Sequence, residues 1–151
     1  MSLPLDYFDA AGAITARLRA QVPQVRSVRT ASSLTEISHM TPEAPSLIIC
    51  WDGDALFAQA ECLHPIEQRW IVALTVRSAR DTAGGSGVLE AAGPLLSLTL
   101  AALLGWRPDV PGAGRLRRIE APRPVFDAGY GVFPLAFSLR RSVTLEVASC
   151  A

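Results

Sequence analysis

Asp52, Asp54, Glu61, Cys62 and His64 crowd into one stretch, DGDALFAQAECLH, with Cys50 just before it. These residue types ligate metals. Paired carboxylates suit a divalent cation, and two thiols with an imidazole suit zinc. The spacing argues the other way. Cys-x-His is not a zinc-knuckle spacing, no fourth ligand is evident, and Asp52-Gly53 is a turn signal. The expectation is a turn followed by solvated acids, with no metal site.

A second chemistry-bearing stretch is GGSGVLE, starting at Gly84 between an expected strand and an expected helix. A glycine-rich loop there can cradle phosphate on free backbone N–H groups. Glu90 stands where a dinucleotide fingerprint needs a small residue, and its carboxylate would repel a pyrophosphate. All 14 basic residues are arginine. Without lysine there is no phosphate-loop amine, Schiff base or lysine general base. The same loop lacks the last glycine of a nucleophile elbow, because Val88 takes that place. The two histidines, His39 and His64, lie in no catalytic motif. No enzyme activity, cofactor or metal is expected.

Arg115, Arg117, Arg118 and Arg123, then Arg140 and Arg141, form a basic third. Such a row can track phosphates. No aromatic side chains interleave Arg115–Arg123 as a base-stacking platform, and the net charge is +0. A solvated strand face, or a rim of ion pairs between subunits, accounts for the arginines without nucleic acid. Arginine is also a preferred interface residue.

The elements that must position these residues follow from periodicity. The chain has 151 residues and is 50% hydrophobic, enough for one ordinary folded domain. Three scattered cysteines do not form a disulfide framework, and a reducing cytoplasm is the simplest setting. The N-terminus has Asp6 and Asp9 but no basic region before an apolar run, so no secretory signal is expected. Leu5 to Val22 reads as an amphipathic helix stopped by Pro23. VRSVRTASS reads as a strand, EISHMTPEAP as a loop, and PSLIICW as a buried strand. DGDALFAQAECLHP reads as a loop or a weak hairpin arm. IEQRWIVALTVRSA is apolar on both faces, as a central strand should be. RDTAGGSG is a flexible connection. RLRRIEAPR and GYGVFPLAFSLRRSVTLEV close the chain as strands, with Pro134 confined to an edge or a bulge.

Val88 to Trp106 is an apolar run of near membrane-spanning length. It contains Glu90, Gly93, Pro94 and two hydroxyl residues, and it lacks aromatic belts and flanking basic asymmetry. It reads as a buried helix covering a sheet inside an oligomer, with Gly105 as its stop and Pro108 behind it. Trp106 would then fold back onto the core or a neighbouring subunit. The element order predicts an α+β fold: a single-layer, mostly antiparallel mixed sheet with two helices packed on one face.

In order and spacing, several segments together resemble the tail terminator (tail completion) proteins of long-tailed bacteriophages and prophages. They are the helix-to-strand stretch AAGAITARLRAQVPQVRSV, the Thr-Pro before a strand in MTPEAPSLII, and RWIVALTVRSA with its glycine-rich break. The apolar helix ending in GWRP and the closing GVFPLAFSLR complete the pattern. The resemblance implies a single terminator-like domain over residues 1–151 that assembles into a ring, commonly of six subunits. The ring would cap the tail tube, end its growth and meet the head–tail connector protein. It implies a place in the virion tail, assembly in the host cytoplasm, no membrane and no catalytic residues. Its partners would be further copies of itself, the tail tube protein and the connector. Trp51, Phe57, Trp106, Arg107, Arg115, Arg117, Arg118 and Arg140 are the candidate interface residues, being aromatic or arginine; for Trp51 and Trp106 a core position is the competing reading. The rival functions are another head–tail joining or minor tail protein, and a small metal-binding or nucleic-acid-binding domain.

Overall fold

The computed structural model describes residues 5–37, 43–58, 62–79, 86–127 and 129–144. Helix α1 spans Asp9–Gln21, and strand β1 spans Ser27–Ala31. A single helical turn, α2 (Leu34–Ile37), precedes strands β2 (Ser46–Leu56) and β3 (Leu63–Arg77). Helix α3 (Ser86–Leu103) follows, then β4 (Arg117–Ile119), β5 (Val125–Asp127) and β6 (Tyr130–Thr144). The sheet order is β1-β2-β3-β6-β4, with β5 also paired to β6. Among the described strands β1–β2 is parallel and the other pairs are antiparallel. This is the expected α+β arrangement.

The two faces of the sheet are built differently. Leu47, Ile49, Trp70, Val72, Leu74, Phe133, Leu135 and Phe137 join α1 and α3 in the main core. The opposite face carries smaller side chains, including Ile48, Ala73, Cys50, Ile71 and Ala136, with Ile119 and Ala121 packed against the last three. Alternation along β3 therefore buries both faces, which is why this strand reads as apolar throughout and sits at the centre.

Helix α1 starts later than periodicity suggests. The Asp6 carboxylate accepts the Phe8 N–H at 2.9 Å, and Gln68 Nε2 donates to the Tyr7 carbonyl at 2.8 Å. These bonds hold the chain in a turn until Asp9. Ala10, Ile14 and Leu18 then recur at helical spacing on the buried face, and Asp9 complements the dipole in the first turn.

One expectation is decided by the strands and another is corrected. Of the two readings open for the stretch after Trp51, a loop or a hairpin arm, the arm is the one observed: β2 runs on to Leu56 and pairs with β3, while residues 59–61 lie outside the described residues. The pairing passes from Trp51↔Trp70 to Asp54↔Gln68, so one extra residue is absorbed as a bulge. Asp52-Gly53 makes that bulge instead of a chain reversal. Glu36 and Ile37, expected in a loop, complete the turn of α2, while residues 38–42 of that loop lie outside the described residues, as do residues 80–85 of the expected flexible connection. Pro134 is accommodated as its chemistry requires. It pairs with Ala73 on one side, while β5 reaches only Val132 and β4 only Ala136 on the other. The missing N–H thus faces a gap between two short strands, a local edge within an otherwise covered strand.

Helix α3 is not buried all round. Val88, Ala92, Thr99, Ala102 and Leu103 face the core, but Leu89 and Leu104 are each 56% exposed. It is the described helix long and apolar enough to cross a membrane by length and composition. Its buried stripe packs on α1 and β3 instead. The stop is where expected. Gly105 has φ +74°, the left-handed cap conformation, and Trp106 N–H reaches back to the Leu103 carbonyl at 3.1 Å.

Candidate assembly surfaces

The arginines and aromatics singled out from sequence fall into two groups. The first gathers where α3 ends. Leu104, Gly105, Arg107 and the run Arg115–Arg118 line a cleft of about 570 Å³. Four guanidinium side chains thus border one cleft with no carboxylate among its lining residues. Arg115 donates to the Gly105 carbonyl at 2.8 Å, placing a cation at the helix C-terminus, where the dipole favours it. Arg107, Arg117 and Arg118 make no ion pair among the described residues. Trp106 stands beside the cleft but not in its lining: it packs against the core, under the Arg17 guanidinium at 5.4 Å. Trp106 is half-buried there.

The second group lies on β2 and its partners. Trp51 is 38% exposed and meets the Phe8 ring edge-on at 5.1 Å. Together with Ala11, Thr30, Ala31, Ile49 and Trp70, these two rings line an apolar groove of about 390 Å³. Further along the β2–β3 hairpin, Leu56, Phe57 and Leu63 are exposed. Arg140 covers the Phe57 ring at 4.9 Å and pairs with Glu67 at 3.5 Å. Arg140 thus belongs to the hairpin and not to the cleft.

Several contributors had no usable signal in the sequence. Phe8 fell within the stretch Leu5 to Val22 read as one amphipathic helix, with nothing to set it apart. Leu89 and Leu104 were hidden inside an apolar run, although its excess of apolar residues over one helical face was the available clue. Arg141 looked like a further surface arginine. It is instead buried on β6: Nη1 lies 2.6 Å from Asp9 Oδ1, and Nη2 lies 3.3 Å from Asp9 Oδ2 and 2.8 Å from the Pro111 carbonyl. It clamps the start of α1 and the loop before β4 onto the sheet.

Of the residues considered for metal binding, Glu61 lies outside the described residues and the others are not gathered. Asp52 pairs with Arg69 at 2.6 Å, Asp54 accepts the Tyr7 hydroxyl, and Cys50 is buried among apolar side chains. Burial pushes the Cys50 thiol up, away from the thiolate form, and the nearby Asp52 and Glu36 charges add to this. Cys62 is disulfide-bonded, a pairing that its spacing did not suggest. The described residues hold no group of three or more His, Cys, Asp or Glu side chains placed around a metal site.

Tyr7 provides a spectroscopic handle on the second group. Burial pushes its phenol up to about 12, the Asp54 hydrogen bond and charge add to this, and Arg141 opposes it. The folded state thus holds the phenolic proton through the range, beginning near pH 10, where an unfolded tyrosine loses it. This stability contribution is fully present below pH 10 and disappears as pH rises through about 12. Absorbance titration should show Tyr7 ionising late, and Asp54→Asn should bring its midpoint back toward the ordinary tyrosine value. An unchanged midpoint would mean that Asp54 does not hold this hydroxyl.

A family model described as phage tail terminator protein matches residues 4–145 of the 151-residue chain. The chain belongs to the phage tail terminator family. The match takes in α1, α2 and α3, all six described strands and both groups of exposed side chains. No curated protein sequence matches the chain. The terminator is accordingly a phage tail completion protein and a component of the virion tail. Membership of the family implies interaction with phage tail and head components in general.

Proposed function

We propose that this terminator assembles into a closed ring, of about six subunits by family resemblance, that caps the finished tail tube and docks to the head connector. The role is structural, carried by binding and not by turnover. One observation supports the ring in particular: two unlike contact patches lie on different parts of the sheet. The Phe8–Trp51 groove and the apolar hairpin flank β2, near one end of the strand order. The arginine cleft and the exposed end of α3 flank β4, at the other end. A ring needs one patch on each subunit to meet a different patch on the next. Exposed aromatic and arginine side chains are the usual energetic centres of such contacts. The wider apolar surface at α3 and its end fits the same role, because Leu89 and Leu104 are each more than half exposed. We place assembly in the host cytoplasm.

Native mass measured over a concentration series, with particle imaging of the same sample, tests this. Closed rings are expected, with Trp51→Ser combined with Leu56→Ser shifting the population to smaller species at unchanged helix and strand content. Neither side chain is buried, so that pair should leave the fold intact. A protein that stays monomeric at every concentration, and also when mixed with isolated tail tubes, would overturn the ring.

A further inference from the structure

The arginine cleft has a feature that charge alone does not describe: it runs beside an unfinished strand edge. Just before β4, Leu116 bonds outward to the chain leaving α3. Its N–H donates to the Trp106 carbonyl at 2.8 Å, and its carbonyl accepts the Gly105 N–H at 3.0 Å. That chain then departs through Arg107-Pro108. Strand β4 continues through Arg117, Arg118 and Ile119, paired with β6 on its inner side only. No described segment pairs with its outer side. Backbone direction alternates along a strand, so Arg118 turns its N–H and C=O outward, as Leu116 does. The cleft begins where the 105–106 cover stops, and Arg117 and Arg118 project from opposite faces of β4 beside it.

We propose that this cleft receives an extended acidic segment of a partner protein, which adds a short strand to the outer edge of β4. The inference rests on the docking role proposed above and names the chemistry of the docked partner. A three-residue edge is about 10 Å long, and the outward N–H and C=O of Arg118 give it two ladder hydrogen bonds to offer. Those bonds hold an added strand in place, and the side chains flanking it decide which sequence is accepted. Here the flanks are guanidinium forks, which pair with carboxylates through two parallel hydrogen bonds. Arginines on both faces of the edge suit a segment bearing acids on both of its faces, and exposed Leu104 offers an apolar contact at the entrance. Nucleic acid fits less well. No aromatic side chain lines the cleft to stack a base, and the chain's net charge is +0. A pre-existing edge also gives a backbone partner to a peptide, not to a phosphodiester chain.

The test uses the full-length protein and a fluorescent peptide of mixed valine and glutamate. Controls are a peptide with lysine in place of glutamate, the glutamate peptide N-methylated at alternate amides, and single- and double-stranded DNA oligonucleotides. The glutamate peptide should bind, the N-methylated peptide at least about tenfold more weakly, and the lysine peptide not detectably. Arg117→Glu with Arg118→Glu should weaken binding at least about tenfold. Arg107→Gln with Arg118→Gln, a milder pair of exposed changes, should weaken it in the same direction. Hydrogen exchange read by NMR should show the Arg118 amide open in the free protein and protected in the complex. The proposal is overturned if the glutamate peptide does not bind, if binding ignores both variant pairs, if the Arg118 amide stays open, or if DNA binds more tightly. Native mass is read in parallel. Rings without peptide binding would remove this assignment and leave the ring standing. Peptide binding without rings would do the reverse.

Discussion

Asp9→Ala is expected to cost about 3 kcal/mol of stability, the largest loss from removing any surface-reaching carboxylate in this protein. Arg141 is 1% exposed, while Asp9 at the head of α1 retains 22%. Removing the acid strands a guanidinium away from water with only the Pro111 carbonyl still bonded to it, and its Nε already has no partner. Removing the base is a different experiment. In Arg141→Met the buried charge leaves with the side chain, and Asp9 can take water in its place. The asymmetry is the informative result: the acid deletion should be the worse of the two. For a chain of this size a 3 kcal/mol loss corresponds to a fall of about 6–12 °C in Tm. Thermal and urea unfolding of both variants checks it. Equal or reversed costs would show that the pair is not held away from solvent.

Gly112→Ala should be comparably damaging through sterics alone. Gly112 has φ +69°, a conformation that a Cβ penalises. A Cβ built there would lie 2.1 Å from the Ser142 carbonyl oxygen and 2.8 Å from its carbon. Those atoms belong to β6 and cannot step aside like a flexible side chain. The Gly112 carbonyl also accepts the Ser142 N–H at 3.1 Å, so pushing the loop away breaks that bond. Strain at such a site is of order 1–3 kcal/mol, and overpacking adds a similar amount. Gly114→Ala is the control. Its Cβ would sit 3.4 Å from the Arg140 carbonyl oxygen, an ordinary contact, and it carries no positive φ. If both substitutions cost the same, the close approach of the Pro111-Gly112 loop to β6 is not what Gly112 serves.

How much was legible in the sequence depended on the range of the interaction. Ile14 and Leu18 on the α1 stripe, the two apolar faces of β3 and the Gly105 stop depend on neighbours in the chain, and periodicity exposes them, although the buried alanine of the stripe is Ala10 and not Ala11. Asp52-Gly53 misled because the same dipeptide serves a hairpin turn or a bulge, and the difference lies in whether β3 continues to pair beyond it. The apolar run of α3 showed its helix but not how much of it remained uncovered. Arg107, Arg115, Arg117 and Arg118 could be chosen by residue type, and the structure brings those four together. Arg140 and Arg141 are adjacent in sequence and alike in type, yet one covers an exposed phenyl ring and the other is a buried clamp. Strand alternation sends them to opposite faces of β6, and nothing in their own side chains says which face is covered.

The β3–β6 pairing also sets an order of events in time. Leu63 pairs with Thr144 and Arg77 with Tyr130, so the longest ladder in the sheet joins strands separated by all of α3 and two short strands. Closing it carries a loop-entropy cost that local pairing such as β2–β3 avoids, so it belongs late in folding. Among the described residues, strands β4 and β5 pair with β6 alone. The arginine cleft therefore comes into existence only after the last strand has docked. A chain still on the ribosome, or one that has folded only its first half, has no finished cleft. The topology thus makes completion of the subunit a precondition for any docking at that cleft.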